Sequence, residues 1–252
     1  MINPTSLTDV VQVTRPLLLA RDRTVPVLPA LRGLMPDGGL PRGAMVGVAG
    51  PDAGATSMAF ALAAAPSAAG SWVAVVGRPD LGLSAAAEIG VDLDRLALVA
   101  EPPPEGWAAV VAALIGAVDI VVVAPRHQVR MAEARRLAAR ARERGTVLIQ
   151  VGTGGPGGHG GATRAGGSGL ELDLRLTVVD AVWQGVGVGH GHLQARRLTV
   201  EAGGRRQAAR PRRAELWVPD LQGRVTVCDA GGTSAYAGSD IDRLVPPLQE
   251  VG

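Results

Sequence analysis

The chain has 252 residues, 47% of them hydrophobic and only 2% aromatic, with 25 basic and 23 acidic side chains and a formal net charge of +2. Every basic residue is arginine, so a small excess of cations persists to high pH and the pI of 9.4 overstates the basicity. Cys228 stands alone, which excludes an intrachain disulfide and a cysteine metal cluster, and neither a secretory leader nor an apolar run of about 20 residues is present, so the expectation is a cytoplasmic protein.

The length suits one large α/β domain with extensions. At residues 6–13 a capping box of Ser6 and Asp9 predicts a short helix ended by Pro16, and 21–40 is punctuated by Pro and Gly and reads as irregular. A β-type run at 44–49 is broken by Gly50 and Pro51, after which Thr56 and Ser57 lead into an Ala-rich helix, 58–65, closed by Pro66. Strands at 71–76, 96–100, 119–123 and 146–151 then alternate with helices at 83–89, 107–115 and 131–144. Such alternation predicts a mostly parallel sheet with helices on both faces.

The pattern changes at Gly152. Residues 152–169 are more than half glycine and read as a mobile loop. Runs at 170–179, 182–188 and 193–200 read as further strands, an antiparallel extension of the sheet, with shorter ones around Trp217 and at 225–228. The expected organisation is an N-terminal helix and irregular segment (1–40), a core (41–200) containing the Gly-rich loop, and an Arg-rich extension (201–252).

The octet Gly50-Pro51-Asp52-Ala53-Gly54-Ala55-Thr56-Ser57 has the outline of a phosphate-binding loop between strand and helix, where N–H groups face an anion. It lacks the lysine that such a loop uses to reach the β- and γ-phosphates, and the wide guanidinium of arginine is a poor substitute. An ordinary Gly-rich turn is the competing reading of the octet by itself.

Two further segments tip the balance. SAAAEIGVDLDRLALV at 84–99, followed by GAVDIVVV at 116–123, resembles the core of RecA-family recombinases, and the octet resembles their phosphate loop in its first three residues. The similarity covers about residues 40–200 and implies a RecA-like, P-loop-type α/β fold with degenerate Walker motifs. Matched position by position, Thr56 stands at the family's phosphate-binding lysine, or Ala55 if one residue is deleted. Ser57 keeps a hydroxyl for Mg²⁺. Arg78 stands where a glutamate activates water, Ala124 where the Walker B aspartate would be, and Gln150 ends the next strand. Phosphoryl transfer rests on positioning and charge neutralisation, so the resemblance implies a pseudo-ATPase with no cofactor of its own, weak ATP and Mg²⁺ binding being left open.

Eroded Walker motifs and an actinobacterial-looking composition make the chain similar to the ImuA class, in its short actinobacterial ImuA-prime form. That resemblance implies an accessory role in the SOS response and mutagenic translesion DNA synthesis. Its implied partners are an ImuB-like inactive Y-family polymerase, an error-prone DnaE-type polymerase, RecA, and DNA directly or through them, with nucleoid association during DNA damage. The alternatives are a DNA-dependent ATPase or recombinase and a nucleotide sensor.

Outside the octet, Arg205, Arg206, Arg210, Arg212 and Arg213 form a dense cluster, with Trp217 nearby, suited to a nucleic acid or an acidic partner. Arg136, Arg140 and Arg144 recur at i, i+4, i+8 and read as a solvated helix face. His190 and His192 lack a third ligand, so no metal is expected. Trp183 and Trp217 read first as core anchors.

Overall fold

The computed structural model describes residues 24–50, 52–78, 81–153, 171–185 and 191–228. The expected helix at 6–13, nearly all of the Gly-rich loop and the tail from residue 229 lie outside these.

β1 (Thr24–Val25) and β2 (Leu40–Pro41) pair antiparallel and bracket a short 3-10 helix, Pro29–Leu34. Regular structure here was not expected from the Pro and Gly content. Leu31 and Leu34 are three residues apart, the spacing that eclipses side chains on a 3-10 helix, and both are fully buried.

The remaining strands form one nine-stranded sheet. β3 (Met45–Gly50), β4 (Val73–Val76), β5 (Leu96–Val99), β6 (Ile120–Val123), β7 (Val147–Thr153), β8 (Leu174–Trp183), β9 (Arg196–Gly204), β10 (Arg212–Trp217) and β11 (Thr226–Val227) lie in the order β11-β10-β9-β8-β3-β7-β6-β4-β5. From β8 to β5 every pairing is parallel, and β9, β10 and β11 continue the sheet antiparallel. The α/β class, the largely parallel sheet and its antiparallel extension are as the alternation predicted. The sheet runs without interruption through residue 200, which falls inside β9.

Four helices cover the parallel part: α1 (Asp52–Ala68), α2 (Leu83–Ile89), α3 (Pro104–Leu114) and α4 (Met131–Arg144). α1 is rich in alanine on all sides and is correspondingly buried nearly all round, from Met58 to Ala64, against β3, β7 and β8. α3 and α4 close the opposite face around Trp107, Val111, Leu137 and Leu148. α2 and α4 occupy the predicted ranges because Gly90 (φ 107°) and Gly145 (φ 72°) each supply a left-handed C-cap.

Several boundaries differ from expectation: α3 starts at Pro104 rather than 107, β4 at Val73 rather than 71, β8 at Leu174 rather than 170 and β9 runs on to Gly204. Pro66 does not close α1; it sits in the last turn, where it forfeits only the bond it would have given four residues back, and the helix continues to Ala68. The predicted strand at 182–188 does not start a new element, since Val182 and Trp183 are the last residues of β8. Among the described residues no helix is long and apolar enough to cross a membrane.

Candidate functional site

Because β4, β6, β7 and β3 run parallel, their C-terminal ends gather along one rim, the place where open α/β sheets bind ligands. Register sets the heights on that rim. Val76, Val123, Gln150 and Gly47 form a single row across the four strands. Ala124 therefore follows the row by one residue, Arg78 by two and Gly50 by three, so the sheet brings the three positions to one edge. Arg78 and Ala124 are half-buried. Gln150, expected at a strand end, lies within β7, which runs on to Thr153.

At the octet the helix arrives early. β3 ends at Gly50 and α1 begins at Asp52, so a single residue separates them and Gly54, Ala55, Thr56 and Ser57 already belong to the first turns. A phosphate-binding loop presents successive backbone N–H groups around the anion before the helix is established. From the fifth helical residue onward those groups turn along the axis to carbonyls four residues back, which takes Thr56 and Ser57 out of such a cradle. Ala55 is fully buried, and Thr56 and Ser57 are half-buried.

Both glycines of the octet pack against one side chain. Gly50 has φ 148°, and a Cβ placed on it would lie 2.7 Å from Cβ of Val178 and 3.0 Å from its carbonyl oxygen. A Cβ on Gly54 would meet Cγ1 of Val178 at 3.2 Å. Val178, on β8, is fully buried. The volume beside the octet glycines is thus occupied by an apolar side chain from the neighbouring strand.

A carboxylate that sequence reasoning missed lies on the same rim. Glu101, just past β5, reaches across to Gly77 at the end of β4, and its Oε2 is buried with no hydrogen-bond partner. No motif marks it, because its position depends on the pairing of β4 with β5.

The arginine cluster resolves differently from its sequence grouping. Among the described residues α4 packs on β7, while Arg175, Glu201 and Arg213 share an exposed face of β8 to β10. A groove of about 820 Å³ opens here, walled by Arg135 of α4, Arg175 of β8, and Arg205, Arg212 and Arg213 around β9 and β10. Two carboxylates accompany these five cations. Glu171 accepts a 2.7 Å bond from Arg205, and Glu201 accepts a 3.2 Å bond from Arg213. The Arg205 hydrogen bond, then its charge, and more weakly the charges of Arg135 and Arg142, hold the Glu171 carboxyl below the ordinary glutamate range. Arg210 is exposed and outside the groove lining, and the side chain of Arg206 lies outside the described residues.

Arg136, Arg140 and Arg144 do not reach this groove. Nε of Arg140 donates to the carbonyl of Ile115 at 3.4 Å, and the stem of Arg144 lies beside Gly116, so that part of the stripe covers the turn after α3. Trp217 is half-buried at the far end of β10, opposite Arg197 of β9. Trp183 is no core anchor: at 39% exposure it stands at the end of β8, stacked over the buried Arg196. The tryptophan that does fill the core is Trp107, which meets His127 edge-on at 5.4 Å. His192 is exposed, His190 lies outside the described residues, and among the described residues no three His, Cys, Asp or Glu side chains gather as a metal site would require.

Comparison with known proteins places the better-matched half of the chain in the parallel core. The family model described as MT3502 N-terminal domain matches residues 33–157, from the 3-10 helix through β7. The uncharacterized protein Rv3395c of Mycobacterium tuberculosis (strain ATCC 25618 / H37Rv) is 41% identical over 104 residues, which is 41% of this chain and 50% of the relative. The chain therefore spans about half the length of the curated relative it matches. β8 to β11 lie beyond the family match.

Proposed function

We propose that the chain is a RecA-like, ImuA-type accessory protein of SOS-linked mutagenic translesion DNA synthesis, and that it works by contact rather than by hydrolysing ATP. One observation carries the non-catalytic part: Val178 packs on Gly50 and Gly54 while α1 begins at Asp52, which leaves no loop to wrap a triphosphate. Thr56, Arg78 and Ala124 agree with it in chemistry, since none of them supplies the ammonium or the carboxylates on which phosphoryl transfer depends. The parallel core with its antiparallel extension fits the RecA resemblance, and similarity to a mycobacterial protein fits an actinobacterial family.

Partners in this reading are an ImuB-like inactive polymerase and an error-prone DnaE-type polymerase. Two experiments test it. Tagged full-length chain, recovered from DNA-damaged cells, is expected to bring down polymerase components; their absence counts against the accessory role. Purified protein is expected to release no phosphate from ATP. A Mg²⁺-dependent, DNA-stimulated release that is lost in Ser57→Ala overturns the non-catalytic reading and favours a DNA-dependent ATPase.

A further inference from the structure

The groove between α4 and the exposed face of β8 to β10 is not part of the rim. Five arginines and two glutamates line it. Glu171 and Glu201 are each engaged by one arginine, and among the described residues no carboxylate lies within ion-pair distance of Arg135 or Arg212. Arg212 donates only to the carbonyl of Arg210, at 3.4 Å. Arg135 and Arg212, facing a common space, repel one another unless an anion enters it.

The floor is shaped to admit one. Arg175 stands opposite Gly203 in the β8–β9 register, and a Cβ placed on Gly203 would meet nothing within 4 Å. An open position thus sits beside Arg175, with Arg205 and Arg213 nearby along the same strands and Arg135 above on α4. Met131, 51% exposed, and Leu172 add apolar surface between the cations. Guanidinium forks match phosphate oxygens in pairs, and interleaved apolar side chains suit sugars and base faces.

We propose that this groove holds the phosphodiester backbone of a single-stranded nucleic acid. An acidic peptide is the less favoured occupant for a reason of topology. β8 and β9, which form the floor, are paired on both sides here, and among the described residues only β10 lacks a second partner at Arg212 and Arg213, so the floor offers no main-chain groups and binding there falls to the side-chain cations. A phosphodiester chain supplies one charge per unit to meet them. Oligonucleotide binding at this groove is independent of ATP chemistry and of polymerase contacts, so failure here and failure of the accessory reading are separately visible.

The test is fluorescence anisotropy of full-length protein with a labelled oligothymidine of about 15 nucleotides, near the upper size for one single-strand-binding module. Wild type is expected to bind with an affinity that falls steeply with salt. The double variant Arg135→Glu/Arg212→Glu is expected to bind at least tenfold more weakly, with its salt slope lower by about 1.4, at ~0.7 per lost phosphate contact. Arg32→Glu, an exposed cation on the 3-10 helix, is expected to stay within twofold of wild type. Circular dichroism and the melting curve report whether the double variant is folded, and Arg135→Gln/Arg212→Gln, which removes charge without reversing it, repeats the test with less perturbation. No binding by wild type, or equal binding by both folded double variants, overturns the proposal. Displacement of the oligonucleotide by polyglutamate at equal charge concentration also overturns it, in favour of an acidic peptide.

Discussion

The guanidinium carbon of Arg196 lies 4.9 Å from the ring centre of Trp183, and the arginine itself is only 3% exposed. Its Nε donates to the carbonyl of Val218 at 2.8 Å, and its main chain pairs with Val218 and Pro219. Arg196 therefore ties the end of the β8–β9 hairpin to the turn after β10, with Trp183 as a lid. Arg196→Ala empties the space under the ring and leaves a carbonyl unpaired; the expected loss is about 2–4 kcal/mol in urea unfolding. Arg196→Met keeps the volume and removes the buried charge, and is expected to lie within about 1 kcal/mol of wild type at neutral pH.

Burial also lowers the pKa of Arg196 to about 10, well below the ordinary arginine range. The folded state then releases this proton before the unfolded state does, so stability contributed by the group rises as pH climbs above about 10. The chain has no lysine and one tyrosine, and comparison with Arg196→Met cancels the titrations that the two proteins share. Wild type is expected to gain stability relative to Arg196→Met between about pH 9 and pH 11.5, measured by paired denaturant melts. A constant difference across that range would contradict the assignment.

How much of this was legible beforehand depends on the range of the interaction. The helices at 83–89 and 131–144 and the core strands could be read because their signals, apolar period and capping glycine, are local. The start of α1 could not, since Gly50-Pro51 looks like the opening of a loop and only Val178, more than 120 residues later, shows how closely helix and strand meet. The groove was hidden for the same reason. Arg135, Arg175 and Arg212 are far apart in sequence, and the visible cluster at 205–213 divides between groove and open surface once the register of β9 and β10 is set. Glu171, Asp173 and Arg175 alternate with other residues in the sequence, and that was the one available hint.

Asp173 holds the wall of the groove to the core. Its Oδ2 accepts from the N–H of Met45 at 2.9 Å, its own N–H donates to the Met45 carbonyl at 2.8 Å, and its carbonyl accepts from Arg205 at 3.0 Å. Asp173→Ala removes the side-chain bond and the nearby charge facing Arg142, and is expected to cost about 1–3 kcal/mol. Asp173→Asn retains an acceptor for Met45, so thermal melts should place it between wild type and the alanine variant.

The packing of Val178 on the octet yields the sharpest stability test. At Gly50 an added methyl faces both a positive φ and the backbone of β8, so Gly50→Ala is expected to cost about 2–4 kcal/mol, and shortening Val178 cannot rescue it because Cβ and the carbonyl oxygen remain. Gly54 is different. It lies inside α1, where alanine is better than glycine by about 1 kcal/mol, but the new methyl meets Cγ1 of Val178 at 3.2 Å. Gly54→Ala alone should therefore be close to neutral, the helix gain being offset by crowding. In a Val178→Ala background the crowding atom is gone and the same change should stabilise by about 1 kcal/mol, a coupling that a double-mutant cycle in urea can resolve. Independence of the two sites would mean that Val178 does not fill the space beside the helix start, and the argument against a phosphate cradle would fall with it.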